Sequence, residues 1–367
     1  MDRTAKIISI YAADISGVCS ALYEYGGMTV IHDASGCNST YTTHDEPRWY
    51  DMDSMVFISA LTERDAVMGN DEKLINDLCI TAEQLSPRFI ALCASPMPAM
   101  TGVDLDAIAY EAGERTGIPS FAVSTNGMSS YIKGAENAFY ELARIFAKDA
   151  PVREHTVPLV NILGMTPLDH PLDLPQKLRK LLQAHGLGVN AVMGMGSSPD
   201  DLIRLPQADV SLVVSSCGKK TAEWLFEKYG IPYVTGLPIG EKFSEHITTD
   251  LKRAASEKIN ISSCREHRIY GEKCAVIGES VLSASYACML SLENGMPARV
   301  LESVGEGDMS VLCENDLTCC DEDILQREIK NSDIIYADPL YRPICGDKTF
   351  VPVPHRAFSG RCFTGDL

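Results

Sequence analysis

Cys37, Cys93, Cys217 and His355 each follow a short apolar run closely, where the end of a β-strand is expected to present chemistry. Thiolate sulfur and imidazole nitrogen bind soft or borderline metals such as iron and zinc. These four residues are therefore the first candidates for a metal or cofactor site. A helix-capping thiol for Cys217 and a surface histidine for His355 remain as structural alternatives.

Cys37 is the strongest of these candidates in the sequence. Val30-Ile31 ends an apolar run, Ser35-Gly36 provides a sharp turn, and Cys37 then begins the following loop or helix. Nearby N–H groups at a helix N-terminus lower the pKa of a thiol and favour the thiolate that binds metal. The alternative is a buried cysteine that acts as a small hydrophobic residue.

Strand-like apolar runs alternate with helical patterns along the whole chain, at the spacing of βαβ units. The predicted strands cover residues 28–32, 55–59, 89–93, 120–124, 159–163, 189–192, 210–214, 232–235, 274–277, 298–304, 334–337 and 349–353. The predicted helices cover residues 16–25, 70–85, 104–117, 174–185, 200–205, 221–229 and 280–293. The pattern predicts an α/β protein with parallel sheets.

The strands form three groups, separated by the Pro- and charge-rich residues 150–156 and the polar residues 256–267. We therefore expect three Rossmann-like domains over residues 1–155, 156–265 and 266–367. Ligands of such domains bind beyond the carboxyl ends of the strands. The three domains are expected to surround a central interdomain cleft.

Composition excludes several classes of protein. The formal charge of −18 disfavours nucleic acids and anionic membranes, which are bound through Lys and Arg. No apolar run approaches the roughly 20 residues of a membrane helix, and the first residues do not resemble an export signal. Thirteen cysteines without such a signal favour a reducing cytosol. We expect a cytoplasmic protein.

Several blocks occur in the order and spacing of one known family. They include GC at 36–37, LTERDAVMGNDEKL at 61–74, SPMPAMTGVDLDAI at 95–108, GIPSFAVSTNG at 117–127 and TAEWLFEKYGIPYVTGLPIG at 221–240. The chain resembles the nitrogenase component 1 superfamily. This superfamily includes the nitrogenase subunits, cofactor-assembly scaffolds, protochlorophyllide reductase and the F430 reductive cyclase.

The resemblance implies an iron–sulfur cluster, of the [4Fe–4S] type, shared between two subunits. Cys37 matches one of the three ligand positions of the family's first domain. A second ligand position falls on Pro96, so Cys93 substitutes only if its loop bulges. Because such a cluster needs four ligands, the resemblance implies a homodimer or a paralogous partner subunit.

The resemblance also implies a second metal cofactor, or a tetrapyrrole, in the interdomain cleft. Cys217 and His355 lie close to the positions of the family's cofactor ligands. Ser198 precedes Pro199 at the start of a predicted helix, so it is primarily an N-cap. The same helix N-terminus is a candidate site for a tetrapyrrole carboxylate.

The resemblance therefore implies an oxidoreductase component that accepts electrons from an ATP-dependent iron–sulfur reductase. It would reduce a substrate or cofactor in the interdomain cleft. The sequence contains no Walker loop, so any ATP hydrolysis belongs to the partner. The alternative is a non-catalytic scaffold or binding protein for a metal cluster or tetrapyrrole. The catalytic residues are not predicted.

Overall fold

The structure is a computed structural model that describes residues 5–9, 12–34, 46–148 and 155–363. Cys37 lies outside these ranges, and the described residues give no test of its predicted role.

Three parallel sheets follow one another along the chain. The first has the strand order β2-β1-β3-β4. Its strands are β1 (Met28–His32), β2 (Met55–Ile58), β3 (Ile90–Ala94) and β4 (Ser120–Val123). Its helices are α1 (Asp14–Leu22), α2 (Glu63–Met68), α3 (Asp71–Leu85), α4 (Pro96–Thr101), α5 (Leu105–Thr116) and α6 (Tyr131–Phe146).

The second sheet has the order β6-β5-β7-β8-β9. Its strands are β5 (Leu159–Met165), β6 (Gly188–Gly194), β7 (Val210–Val213), β8 (Tyr233–Thr235) and β9 (Ile261–Ser262). Its helices are α7 (Leu174–Ala184), α8 (Pro199–Arg204), α9 (Lys219–Tyr229), α10 (Glu241–Glu257) and α11 (Ser263–Glu266).

The third sheet has the order β12-β11-β10-β13-β14. Its strands are β10 (Cys274–Gly278), β11 (Ala298–Glu302), β12 (Leu317–Thr318), β13 (Ile334–Ala337) and β14 (Thr349–Pro352). Its helices are α12 (Ser280–Asn294), α13 (Glu322–Glu328) and α14 (Arg356–Ser359). Short 3₁₀ turns span Pro47–Tyr50, Leu205–Gln207, Ser216–Gly218, Met309–Val311, Ile329–Asn331 and Pro339–Ile344.

Apolar side chains on both faces of each sheet explain why helices cover both faces. On the first sheet, Ile31 and Cys93 pack with α1 and α6, whereas Val30 and Leu92 pack with α3 and α5. In each sheet, the strand that comes first in the chain (β1, β5 or β10) has a neighbour on each side. The strand order therefore reverses direction at that strand. These reversals open crevices at the carboxyl ends of β1, β5 and β10, where ligands of doubly wound sheets bind.

Helix α6 was not predicted, because Gly134 and a mixed composition obscure its helical pattern. Gly134 has a packing role instead. A Cβ atom at Gly134 would lie 1.8 Å from the backbone oxygen of Asp14, and one at Gly17 would lie 1.9 Å from that of Tyr131. The two glycines therefore allow α1 and α6 to pack backbone to backbone, which fixes the position of Tyr131.

The predicted fold class is confirmed, since the chain forms three consecutive parallel sheets with flanking helices. The strands of these sheets lie within residues 28–123, 159–262 and 274–352. The domain limits themselves stay a prediction. Long α10 and the two-residue strands β9 and β12 are additions to the predicted elements.

Candidate active site

The carboxylate of Asp169 makes polar contacts with side chains from all three sheet units. Its Oδ1 accepts a hydrogen bond from the Tyr131 hydroxyl and lies 2.9 Å from His355 Nε2. Its Oδ2 accepts a hydrogen bond from the Ser215 hydroxyl at 2.5 Å and faces the Cys217 thiol at 3.8 Å. All five residues are buried. We call Asp169, Tyr131, His355, Ser215 and Cys217 the Asp169 cluster.

The ends of parallel strands bring this cluster together. Asp169 follows β5, while Ser215 and Cys217 follow the adjacent β7. The loops after β5 and β7 flank the point where the second sheet reverses direction. Tyr131 begins α6, and His355 is the N-cap of α14, just after β14. The cluster therefore lies where three sheet units meet, at the expected edge of the second and third sheets.

His355 is held from two sides. Its backbone N–H donates to Asp338 Oδ2 at 2.8 Å, and Asp338 follows β13. The same carboxylate oxygen accepts a hydrogen bond from the Ser359 hydroxyl at 2.7 Å. The Tyr131 hydroxyl lies 3.2 Å from His355 Nε2. These contacts fix the orientation of the imidazole toward Asp169.

Burial and charge act against each other on Asp169 and His355. Burial alone would lower the pKa of His355, but the hydrogen bond and charge of Asp169 raise this pKa above its ordinary value. Burial alone would raise the pKa of Asp169, but His355 lowers it below its ordinary value. Each partner therefore favours the charged form of the other, across the 2.9 Å contact between His355 Nε2 and Asp169 Oδ1.

The other members of the Asp169 cluster keep their protons. Burial, followed by the negative charge of Asp169, raises the pKa of the Tyr131 hydroxyl and of the Cys217 thiol well above their ordinary values. Both groups are therefore neutral donors at pH 7. The cluster combines one negative charge, one positive charge and three neutral donors.

A second buried carboxylate, Glu279, lies next to the Asp169 cluster. It follows β10 and accepts hydrogen bonds from the Ser216 hydroxyl and from the backbone N–H of Leu282, the latter at 2.8 Å. Burial, followed by the charge of Asp169, raises the pKa of Glu279 to about 7. Glu279 is thus a buried acid that exchanges its proton near neutral pH.

The structure brings Cys217 and His355 to the same carboxylate, although they are far apart in sequence. Their contacts are with Asp169, and they do not form a preformed metal site. Within the described ranges, Asp250, Glu266 and His267 are the only group of three such side chains close enough to share an ion. The Asp169 cluster is not such a group, and the role of Cys217 and His355 as cofactor ligands stays a prediction.

Ser198 is the N-cap of α8, in agreement with its primary sequence interpretation. Its backbone N–H donates to Asp201 Oδ2 at 2.7 Å, and its hydroxyl donates to the same oxygen at 3.0 Å. The carboxylate of Asp201 thus caps the backbone N–H of Ser198, and a cofactor-binding role for Ser198 stays a prediction. The described contacts do not connect Ser198 with the Asp169 cluster.

Cys93 lies within β3 and is fully buried. Its thiol faces the backbone oxygen of Val30 at 3.9 Å, and burial raises its pKa well above the ordinary value. The strand pairs in regular register with β1 and β4. The sheet ladder thus continues through Cys93 without a bulge, and its role as a cluster ligand stays a prediction.

A Cys93→Ala substitution tests this placement. We expect the iron content of the anaerobically purified protein to stay unchanged, and the free energy of unfolding to fall by about 1 kcal/mol, because only a small buried group is lost. Iron analysis and urea unfolding measure both effects, with Cys37→Ala as the comparison. Loss of iron in the Cys93 variant would show that Cys93 leaves the sheet to bind a cluster.

Sequence reasoning missed Asp169, Tyr131 and Glu279. The signal for Asp169 was present, because the residues TPLDHP at 166–171 directly follow β5. Strand β5 was predicted to end at Leu163, so this loop was not weighed with the other strand ends. Glu279 likewise follows β10, whereas Tyr131 begins a helix that was not predicted.

Within the residues that the structure describes, no helix is both long enough and apolar enough to cross a membrane.

Three Rossmann-like units that meet at a buried cluster of polar side chains define an α/β protein with three consecutive parallel sheets. The family model for nitrogenase component 1 type oxidoreductases matches residues 17–304. The chain belongs to this family.

Sequence similarity to curated proteins supports the assignment to this family. The chain is 33% identical over 184 residues to a subunit of light-independent protochlorophyllide reductase from Roseiflexus castenholzii, a match that covers 50% of this chain and 32% of that protein. It is 31% identical over 209 residues to the corresponding protein of Prosthecochloris aestuarii, where the match covers 55% and 38%. The matched segment thus spans about a third of the length of these curated relatives.

A solved structure, "Nitrogenase Cp1 at pH 6.5", is similar to this fold with a TM-score of 0.69 and 17% sequence identity. The match covers 96% of this chain and 88% of that one. The likeness shows that the three-sheet fold of this chain is the nitrogenase fold.

Proposed function

We propose that this chain is a cytosolic reductase subunit of the nitrogenase component 1 type. It accepts electrons from an ATP-dependent iron–sulfur reductase and reduces a substrate bound in the interdomain cleft. Family membership and the names of its relatives support a reductase. The single observation that carries the proposal is the Asp169 cluster, which joins all three sheet units at the strand ends.

Reduction of a double bond needs protons as well as electrons. The proton between His355 Nε2 and Asp169 Oδ1 is available in the ordinary pH range, because the pKa of His355 is raised by Asp169. The Tyr131 hydroxyl contacts both partners and keeps its own proton. His355 is therefore the proton donor in this proposal, while Asp169 and Tyr131 hold its imidazole in place.

An iron–sulfur cluster is the electron carrier that the family resemblance implies. The burial of the described thiols of the first sheet unit gives little support to a role as its ligands. Cys19 on α1 and Cys93 in β3 are buried in the same apolar core, and Cys79 lies along α3. A cluster shared between subunits would therefore depend on Cys37 and on ligands from a second subunit.

Exposed apolar side chains at the carboxyl edge of the first sheet support the proposed second subunit. Five apolar side chains there are exposed by 45 to 84%, and we call them the methionine face. They are Val67, Met68, Met97, Met100 and Met128. They lie on α2, on α4 and after β4, which all follow strands at this edge. Exposed apolar groups on one edge are typical of a protein interface.

Lysine substitution at the methionine face tests the interface. We expect the double variant Met100→Lys/Met128→Lys to raise the dissociation constant of the dimer, or of the complex with a paralogous subunit, by at least about tenfold. The reason is that the charged groups would have to lose water on association. Analytical ultracentrifugation measures the change. Ile80→Lys is the matched control, because Ile80 is exposed on α3. An unchanged assembly in the double variant would contradict this interface.

The alternative function is a scaffold or binding protein for a metal cluster or tetrapyrrole, without turnover. The absence of a thiol set among the described residues of the first sheet unit favours it. A scaffold would bind its cargo but would leave the reductase partner reduced.

Anaerobic purification, iron and sulfide analysis and a pull-down of the reductase partner begin the test. The deciding step mixes the complex with reduced partner, ATP and candidate substrate, and follows the iron–sulfur absorbance of the partner. Continued oxidation that requires ATP and substrate supports the reductase. Binding without oxidation supports the scaffold.

A further inference from the structure

A buried carboxylate, that of Asp250, faces a histidine where the chain passes from the second sheet unit to the third. Asp250 lies on α10 and is 4% exposed. Its Oδ2 lies 3.1 Å from Nε2 of His267, which directly follows α11. The segment after His267 leads to β10, the first strand of the third sheet.

Glu266 completes a group of three side chains that have metal-binding atoms. One such atom each from Asp250, Glu266 and His267 lies within 4.8 Å of the other two. In a tetrahedral site with bonds of about 2.0–2.1 Å, ligand atoms are roughly 3.3 Å apart, so a modest inward movement of exposed Glu266 closes the site. The group combines one imidazole with two carboxylates, which is a ligand set for a divalent ion.

Neighbouring side chains already orient two of these ligands. The Ser263 hydroxyl donates to Asp250 Oδ2 at 2.6 Å, a hydrogen bond of the kind that supports metal-binding carboxylates. The ring of His246 stacks on the ring of His267, with a centroid distance of 4.2 Å and an interplanar angle of 27°. His246 precedes Asp250 by one turn of α10, so both lie on the same helix face. The stack holds the imidazole of His267 beside the carboxylate.

The charges at this group favour a cation. Asp250 and Glu266 bring two negative charges, and Arg253 contacts both of them. Its Nη2 lies 3.3 Å from Asp250 Oδ1 and 2.7 Å from Glu266 Oε2. The side chain of Arg253 is 39% exposed, and among the described residues its Nε has no hydrogen-bond partner. Because ion pairs of partly exposed side chains are weak, a divalent ion can displace this guanidinium.

The ligand types also select the ion. Imidazole nitrogen suits zinc and similar transition metals, whereas magnesium and calcium prefer oxygen ligands. Three protein ligands leave one tetrahedral position for water. The side chains of Glu266 and His267 are 45% and 22% exposed, so an ion enters directly from solvent.

We propose that Asp250, Glu266 and His267 bind a divalent transition-metal ion of the zinc type. His246 is the positioning residue of this site, and the ion takes the place of Arg253 between the two carboxylates. The inference does not depend on the proposed reductase function, and its failure would leave that function untouched.

An ion bound there joins two parts of the fold. Helix α10 belongs to the second sheet unit, whereas Arg268, the residue after His267, pairs with Asp316 of the third unit. A bond from the ion to His267 would therefore stiffen the passage from one sheet to the next.

Titration calorimetry of the chelator-treated full chain with zinc ions tests the site. We expect Glu266→Gln and His267→Gln each to raise the dissociation constant at this site by at least about tenfold, because each removes a ligand. Both positions are partly exposed, so the variants are expected to keep the fold. Glu257→Gln, at an exposed position on the same helix α10, is the matched control and is expected to bind like the wild type.

Cobalt(II) absorption separates this site from the cysteines of the chain. Thiolate ligands give cobalt an intense charge-transfer band, whereas nitrogen and oxygen ligands do not. The cobalt signal that is lost in His267→Gln is therefore expected to lack this band. A lost signal with the thiolate band would overturn the assignment of the ligands.

Two further variants distinguish a metal site from a network of ion pairs. Arg253→Gln is expected to bind zinc at least about threefold more tightly, because no guanidinium competes for the carboxylates. His246→Ala is expected to bind zinc more weakly, and His246→Phe is expected to restore binding, because a phenyl ring can still stack on His267. A purely structural role of His246 would not couple ring stacking to zinc affinity.

The inference is overturned if the wild type, Glu266→Gln and His267→Gln bind zinc with the same stoichiometry and affinity, since the zinc would then lie elsewhere. Weaker zinc binding in Arg253→Gln would also overturn it, because the ion would not take the place of the guanidinium. Magnesium binding as tight as zinc binding would contradict a site of the zinc type.

Discussion

Replacing Asp169 with Asn is expected to lower the free energy of unfolding by about 3 kcal/mol at pH 6. The carboxylate is the shared acceptor of four donors and the partner of a buried imidazolium. Removal of one member of a buried ion pair typically costs 3–5 kcal/mol, because the other charge is left without compensation. Urea unfolding of the anaerobic protein measures the change.

The same substitution is expected to change the protonation of His355. Without the charge of Asp169, burial dominates and the pKa of His355 falls, so the imidazole is neutral at pH 7. Histidine carbon NMR shifts report this change. Asp173→Asn is the matched control, because Asp173 lies in the same loop and forms an exposed ion pair with Lys177 at 2.7 Å. The control is expected to stay within about 0.5 kcal/mol of the wild type. A similarly small effect in the Asp169 variant would contradict the cluster.

In the wild type, the ion pair of Asp169 and His355 is expected to stabilise the fold most within a limited pH range. The raised pKa of His355 contributes stability below pH 6.5, and this contribution is lost as the pH rises through the folded-state pKa. The lowered pKa of Asp169 contributes stability above about pH 4, and this contribution is lost as the pH falls through the folded-state value. The pair therefore contributes most between about pH 4 and 6.5.

Replacing Glu279 with Gln is expected to stabilise the protein above pH 7. The pKa of Glu279 is raised from 4.5 to about 7, so the folded state binds this proton more tightly than the unfolded state. Its contribution to stability is greatest below pH 4.5 and falls as the pH rises toward 7. The total loss is roughly 3 kcal/mol, since one pKa unit corresponds to about 1.4 kcal/mol.

The Gln side chain has no proton to lose in this range. The stability difference between Glu279→Gln and the wild type is therefore expected to grow from near zero at about pH 4 to about 3 kcal/mol at about pH 8. Urea unfolding at a series of pH values measures it. Glu227→Gln, at an exposed position on α9, is the matched control variant for this series. A pH-independent difference at Glu279 would show that its carboxyl group does not titrate in this range.

Much of the fold was predictable because parallel strands are short apolar runs between helical patterns. Strands β1 and β13 have the predicted limits, and most others differ by one or two residues. Local sequence features explain why a helix such as α6 was not predicted. Gly134 weakens the helical pattern of α6, yet it is needed for the contact with Asp14. That contact comes from tertiary packing and is not visible in a local pattern.

The site was predictable only in part. Cys217 and His355 follow strands, so their sequence positions already placed them at the edge where ligands bind. Both residues contact Asp169, which lies 48 residues from Cys217 and 186 residues from His355 in the sequence. The sequence alone does not reveal which loops share an edge, because strand order in the sheets decides it. For the same reason, the burial of Cys93 became clear only from its place inside β3.

The central claim is that the Asp169 cluster donates protons in a reductase. Its most direct test is ATP-dependent oxidation of the reduced iron–sulfur partner in the presence of substrate, measured with the wild type, Asp169→Asn and Asp173→Asn. The account predicts repeated turnover with the wild type and with Asp173→Asn. With Asp169→Asn it predicts partner oxidation slowed by at least about a hundredfold, the size typical of a lost proton donor. Equal rates for all three proteins would contradict a proton-donating role of the Asp169 cluster, and no oxidation with any of them would contradict a reductase.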